Sequence, residues 1–150
     1  MKNLTGLFVF FIFTTLNGQQ IRGFSLSNLE NQTLSFEDIK GEKLTLFDFW
    51  TTWCKPCLKS IPEINKLYNE FKEKGVAFAG INCDGPRSMA RVNPMAKTLG
   101  ISYHVLLDPN MELMKELNLN SFPSMAIVNS KGKVVWFHEG FNEGDQEEIR

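Results

Sequence analysis

The sequence predicts an α/β fold in which helices cover both faces of a mixed central sheet. Two apolar runs, Leu44–Trp50 and Val76–Asn82, are typical of strands that are buried on both faces. A segment with helical spacing of apolar residues, 54–74, joins these runs, and a hairpin over 125–137 comes late in the chain. Strands that alternate with helices and then end in a hairpin indicate a sheet with both parallel and antiparallel strands.

The first residues have the pattern of a secretory signal, which we assign to 1–18. Lys2 supplies a positive start, and the apolar stretch that follows ends at Leu16, before the polar residues 17–20. That stretch is shorter than the ~20 residues that an ordinary transmembrane helix needs. A short membrane anchor or a buried helix is the alternative. The remaining residues, 19–150, have the length of one domain.

The other predicted elements follow from turn residues and spacing. Two short strands at 24–26 and 33–35 flank a turn, and Gly75 ends the helix of 54–74. A second helix over 89–99 precedes a strand at 103–107. The predicted elements after these are a turn at 108–110, a third helix with Leu113, Met114 and Leu117 inward, the hairpin strands 125–128 and 134–137, and a last helix that begins at Asp145 and is incomplete at the end of the chain.

The charge and the cysteine content of the chain exclude several classes of function. The formal net charge is -1 and no basic stripe is present, so nucleic acid and anionic membrane surfaces are not expected partners. The chain has three cysteines, Cys54, Cys57 and Cys83, too few for a scaffold stapled by disulfides. In an exported protein, a close pair is then better interpreted as a working site than as a structural bridge.

The segment Cys54-Lys55-Pro56-Cys57 is the main candidate site. It lies between a predicted strand and a predicted helix, so the first thiol meets the positive end of the helix, which favours the reactive thiolate. We predict that Cys54 attacks disulfides, that Cys57 resolves the mixed disulfide, and that Lys55 adds positive charge. Pro56 suits the first helical turn. Half of a zinc site or two core cysteines are the alternatives, but the second ligand pair that zinc requires is not evident.

Several other residues invite a functional interpretation. Asp48 is a carboxylate inside an apolar strand, six residues before Cys54, and we interpret it as the proton acceptor of Cys57; a strand-end aspartate that faces water is the alternative. Trp53 is a candidate surface aromatic beside the cysteines, whereas Trp50 fits the core. Cys83 is interpreted as a small buried side chain, with a third redox cysteine as the alternative, and His104 and His138 are assigned no role.

At this point the chain resembles the thioredoxin superfamily. The segment 53–57 is similar to the family's W-C-x-P-C motif, 48–50 to the strand that leads into it, and 122–124 to the segment with the family's cis-proline. The resemblance covers roughly 22–142 and implies a thioredoxin-like fold with an N-terminal strand pair and an inserted helix. It also implies that Pro123 is cis and faces the dithiol. The partner-binding residues that we expect are Trp53, Lys55, Pro56, Phe122 and Pro123.

Within that superfamily the chain is similar to the TlpA/ResA branch of bacterial envelope oxidoreductases, whose targets include apocytochromes c. That branch usually has a glutamate three residues after the second cysteine, and here the position is Ser60. Asp48 supplies the buried acid of ordinary thioredoxins instead. The departure places in doubt a specialised role in cytochrome c maturation.

These observations together predict a thiol-disulfide oxidoreductase that acts as a reductant on protein disulfides in the bacterial periplasm or cell envelope. We expect a monomer with no cofactor beyond its own redox-active cysteine pair, no metal and no nucleic-acid partner, which receives electrons from an envelope donor. A disulfide oxidase or isomerase is the alternative within the same class. A dithiol protein that handles Cu(I) or zinc is the alternative from another class.

Overall fold

The computed structural model describes residues 19–150, so the predicted signal segment 1–18 lies outside the described residues. Seven strands form one sheet in the order β2-β1-β5-β4-β3-β6-β7. The strands are β1 Leu26–Asn28, β2 Thr33–Leu34, β3 Leu44–Trp50, β4 Val76–Asn82, β5 His104–Leu107, β6 Ser124–Asn129 and β7 Val134–Glu139. The helices are α1 Phe36–Ile39, α2 Lys55–Phe71, α3 Val92–Thr98, α4 Glu112–Glu116 and α5 Gln146–Ile149, with 3₁₀ turns at Lys72–Lys74 and Met89–Arg91.

The sheet is mixed, as the sequence predicts. Strands β3, β4 and β5 pair in parallel, and the N-terminal pair and the C-terminal hairpin add antiparallel strands on either side. Helices α1 and α4 pack with Phe47 and Phe49 on one face of β3. Helices α2 and α3 pack with Leu46 and Trp50 on the other face. The predicted α/β fold with helices on both faces is confirmed.

Helix α1 was not predicted from the sequence. We expected a strand over 33–35, but β2 ends at Leu34 and Ser35 is the N-cap of a four-residue helix. The Asp38 carboxylate accepts hydrogen bonds from the Ser35 N–H at 2.8 Å and from its Oγ at 2.6 Å, which stabilises the first turn. A helix of this length shows no helical period in the sequence, so only the capping residues indicate it.

Two other elements differ from their predicted form. The helix expected over 89–99 is a 3₁₀ turn followed by α3, because Pro94 lacks the N–H that a continuous helix would donate to the Ala90 carbonyl. At the last helix, the Asp145 carboxylate does not cap α5 as we expected. It accepts instead from the Asn142 N–H at 2.6 Å and stabilises the turn before the helix.

Helix α2 begins where the site requires it. Cys54 is the N-cap with extended backbone angles, Pro56 lies in the first turn, and Gly75 at φ 84° ends the 3₁₀ turn that extends the helix. The helix buries one stripe of side chains against β3 and β4. Within residues 19–150, no helix combines the length and the apolar character that crossing a membrane requires.

Candidate active site

The two cysteines of the predicted site are joined in a disulfide at the start of α2. Their Cα atoms are 5.3 Å apart, and the Cys54 Sγ also accepts a hydrogen bond from the Cys57 N–H at 3.2 Å. Cys54 is 5% exposed and Cys57 is fully buried. The first sulfur is therefore the one that a partner reaches, and the helix N-terminus and the Cys57 N–H favour its negative charge on reduction.

The loop before the dithiol is held by a buried carboxylate that was not predicted from the sequence. Asp84, two residues beyond β4, accepts from the Thr52 N–H at 2.6 Å and from the Thr52 Oγ1 at 2.7 Å. It also accepts from the Asn82 Nδ2 at 3.0 Å, and all three residues are buried. Asp84 thereby ties the end of β4 to the residues that precede Cys54. In the sequence, Asp84 is a single aspartate after a buried strand. That pattern does not indicate which residue it bonds.

Replacing Asp84 with alanine is expected to lower the free energy of unfolding by about 2–4 kcal/mol, because the Thr52 and Asn82 donors lose a charged acceptor in a buried place. Urea unfolding followed by circular dichroism measures the change. Glu143→Ala, which removes an exposed carboxylate, is the control and should leave stability unchanged. Equal stability of Asp84→Ala and the parent would contradict this anchoring role.

Two aromatic side chains lie near the disulfide, and one of them precedes a cis-proline. Trp53 is 63% exposed, and its ring packs edge-on against Phe122 at 5.9 Å between centroids. Phe122 in turn packs against the cluster that contains both cysteines. The Phe122–Pro123 peptide bond is cis, as the family resemblance implies. Of the five predicted partner-binding residues, Trp53, Lys55 and Pro56 are exposed, Phe122 is half-buried and Pro123 is buried.

Asp48 lies inside the protein on the side of β3 that α2 covers. Its neighbours along that side, Leu46 and Trp50, pack against α2, and Trp50 belongs to the same cluster as Cys57. The carboxyl group is fully buried, and neither oxygen has a hydrogen-bond partner among the described residues. Burial raises the pKa of Asp48 from 3.8 to about 7. The alternative of a strand-end aspartate that faces water is therefore wrong.

The position that carries glutamate in the TlpA/ResA branch is a serine in this chain, and its role is structural. Ser60 is buried, and its Oγ donates a hydrogen bond to the Cys57 carbonyl at 3.0 Å. A serine hydroxyl in that place holds the first turns of α2 and does not titrate in the neutral range. Asp48 is a buried acid on the side of β3 that α2 covers.

The remaining cysteine and the histidines are placed apart from this chemistry. Cys83 is a free, buried thiol whose pKa is raised by burial and by the charges of Asp108 and Asp84, which disfavours a reactive thiolate. His138 lies between Asp145 and Glu148 beside α5, and His104 is exposed at the start of β5. Within residues 19–150, no group of three or more His, Cys, Asp or Glu side chains is placed to hold a metal ion.

Comparisons with known proteins agree with this geometry. A model of the AhpC/TSA family matches residues 17–137. The chain is 33% identical over 123 residues to the thioredoxin-like protein YneN of Bacillus subtilis, covering 82% of this chain and 71% of that one. It is 28% identical over 123 residues to the thiol-disulfide oxidoreductase ResA of Halalkalibacterium halodurans, covering 82% of this chain and 68% of the relative.

Solved structures share the fold. A protein from Chlorobium tepidum, described as a thiol:disulfide interchange protein DsbE, superposes with a TM-score of 0.78 at 25% identity over 88% of this chain and 91% of that chain. A protein from Geobacillus kaustophilus superposes with a TM-score of 0.79 at 25% identity over 89% of this chain and 77% of the other. The sheet order, the Cys54–Cys57 pair and these relatives agree: the chain belongs to the AhpC/TSA family and is a thioredoxin-like thiol-disulfide oxidoreductase.

Proposed function

We propose that this protein reduces the disulfides of other proteins in the bacterial cell envelope. The observation that carries the proposal is the asymmetry of the pair: Cys54 lies at the helix N-terminus and is 5% exposed, whereas Cys57 is fully buried one turn inside. An attacking thiolate and a protected resolving thiol are what two-step exchange needs.

The reaction follows from this arrangement. In the reduced protein, the Cys54 thiolate attacks one sulfur of a partner disulfide, the partner S–S bond breaks, and the other partner sulfur leaves as a thiolate. Cys57 then loses its proton to the Asp48 carboxylate, and its thiolate attacks the Cys54 sulfur. The second partner sulfur leaves, the Cys54–Cys57 disulfide forms, and two electrons have passed to the partner.

The partner is a protein, and the surface around Cys54 suits an extended segment of polypeptide. Trp53 and Phe122 offer an apolar contact beside the cysteine pair, and Lys55 and Pro56, which follow Cys54 in the sequence, are exposed. The Pro123 carbonyl is bonded to the Gly140 N–H at 2.7 Å, which ties this segment to the residue after β7. No cofactor is required in this scheme, because the cysteine pair itself carries the electrons.

The location in the cell envelope rests on residues 1–18, whose charge and apolar pattern are those of a secretory signal. The similarity to ResA and to a protein described as DsbE supports the same assignment. A protein in this compartment must be reduced again after each cycle, so we propose an envelope dithiol as its electron donor. The working unit in this scheme is a monomer.

The direction of electron flow is tested by the reduction potential. Equilibration of the full chain with mixtures of reduced and oxidised glutathione or dithiothreitol, followed by alkylation and mass spectrometry, measures it. We expect a value near or below about -220 mV and faster reduction of insulin disulfides than in a Cys54→Ser control. A value near about -120 mV would instead indicate an oxidase. Insulin reduction no faster than that of the control would refute the proposed activity.

A further inference from the structure

The interior next to Asp48 contains a group of polar atoms arranged around Gly80. Gly80 pairs directly with Asp48 across β3 and β4. A Cβ at Gly80 would lie 3.1 Å from the Trp50 Nε1 and 3.3 Å from the Tyr103 Cε2, so both rings border the same point. Asp48 and Trp50 are two residues apart in β3 and share a side of the sheet. Strand register and glycine thus bring these three side chains together.

Each of these three side chains has a buried polar atom without a hydrogen-bond partner in the part of the chain that the structure describes. They are both oxygens of Asp48, the Trp50 Nε1 and the Tyr103 hydroxyl. Tyr103 is only 8% exposed, and Asp48 and Trp50 are fully buried. Buried polar atoms are rarely left unpaired, because each costs free energy. Three such groups on one side of a sheet can satisfy one bound water molecule, which needs two to four polar partners.

The chemistry of the three groups is complementary. The indole nitrogen only donates a hydrogen bond, an ionised carboxylate only accepts, and a phenol hydroxyl does both. Such a set can stabilise either protonation state of Asp48. When Asp48 is ionised, the hydroxyl and the indole donate toward it, and when it is protonated, the hydroxyl accepts.

We propose that Tyr103 is a positioning residue for the exchange reaction, which acts on Asp48 through a water molecule bound between Asp48, Trp50 and Tyr103. The proposal rests on the proposed role of Asp48 as proton acceptor of Cys57. One proton passes from the Cys57 thiol to the Asp48 carboxylate, and Tyr103 keeps its own proton throughout. Gly80 leaves room for the two rings to approach Asp48, which a larger residue would oppose.

The electrostatic surroundings of Asp48 support this assignment. Tyr103 lies just before β5, and the titratable side chains that α2 contributes on this side are Cys57 and Tyr68. The residues directly opposite Asp48 in β4 and β6 are Gly80 and Met125, which carry no charge. Helix α3 contributes the apolar Val92 and Ala96. Burial, and then the charge of Asp48, raise the pKa of Tyr103, so the hydroxyl remains protonated and available as a donor.

The first test is the pH dependence of insulin reduction by Tyr103→Phe. Loss of a donor to the ionised carboxylate should move the acid limb of the pH–rate profile upward by about one pH unit, which makes exchange roughly tenfold slower near pH 6. Tyr68→Phe is the matched control: its ring packs against Tyr103 at 5.6 Å, but its hydroxyl is not among the unpaired buried atoms. Its profile should superimpose on that of the parent.

The second test does not depend on activity or on the folding of Tyr103→Phe. The chain has two tyrosines, so 3-fluorotyrosine incorporated into full-length Tyr68→Phe labels position 103 alone. We expect the ¹⁹F resonance to titrate with a midpoint near the pKa of Asp48, about 7. Asp48→Asn in the same background should abolish that titration.

The outcomes separate the inference from the proposed function. A ¹⁹F resonance that does not change between pH 5 and 9, or that titrates equally in Asp48→Asn, would overturn the role of Tyr103 even if insulin reduction is intact. Equal shifts of the pH–rate profile in Tyr103→Phe and Tyr68→Phe would overturn it as well. A parent protein that does not reduce insulin would refute the proposed function, whereas the ¹⁹F titration would still report the coupling of Tyr103 to Asp48.

Discussion

Cys57→Ser is expected to accumulate mixed disulfides with protein partners through Cys54, while its multiple-turnover reduction of insulin falls to the uncatalysed background. The attacking sulfur remains at the helix N-terminus, but the buried thiol that would release the partner is gone. Non-reducing electrophoresis and mass spectrometry of adducts captured from an envelope extract measure the trapping. The adducts should disappear on addition of dithiothreitol.

The matched control for that experiment is Cys54→Ser, in which the fully buried Cys57 is the only sulfur of the pair. It should trap little. Both variants are made in a Cys83→Ser background, so that no adduct can form through the third thiol. Equal trapping by the two variants, or trapping by neither, would contradict the assignment of Cys54 as the attacking cysteine and Cys57 as the resolving cysteine.

Asp48→Asn is expected to stabilise the fold by about 1–3 kcal/mol at pH 7.5 and to slow exchange about 100-fold. Burial raises the folded pKa of Asp48 from 3.8 to about 7, so the unfolded chain ionises first as the pH rises. The free energy of unfolding of the parent therefore falls between about pH 4 and pH 7. Above pH 7, Asp48 is ionised in both states and the free energy of unfolding falls no further on its account. The difference between the two pKa values limits the stabilisation by Asp48→Asn to about 4 kcal/mol. The asparagine amide would itself be buried and unpaired, so the expected stabilisation is smaller than this limit.

Urea unfolding of the parent and Asp48→Asn at several pH values measures this effect. The stability difference should be smallest near pH 4, should grow up to about pH 7, and should stay constant above it. Exchange slows because Cys57 loses the acceptor of its proton, and Ser60 offers no second acid nearby. A variant that is less stable than the parent at pH 7.5 would contradict the stability cost assigned to ionised Asp48, and a variant that exchanges equally fast would show that Asp48 takes no part in proton transfer.

Strands β3 and β4 have the bounds that the sequence predicts, because a strand covered on both faces is apolar throughout and its limits are set by the polar residues around it. The helix after the cysteines was also predicted, because its apolar residues have helical spacing and Gly75 marks its end. Short or interrupted elements were harder to predict. Helix α1 is one turn long, and Pro94 divides what appeared to be one helix.

The sequence by itself determined the cysteine pair and its order at a helix N-terminus, because residues three apart at a helix start are neighbours whatever the rest of the chain does. It also marked Asp48 as an acid in an apolar strand and predicted that its side chain is buried, as the structure shows. Only the tertiary structure decided which groups surround these residues. Asp84 holds Thr52 across 32 positions of sequence. The register of β3 and β4 places Gly80 opposite Asp48, and Tyr103 packs beside that glycine. Contacts of this kind depend on the packing of distant segments, which no local pattern of residues encodes.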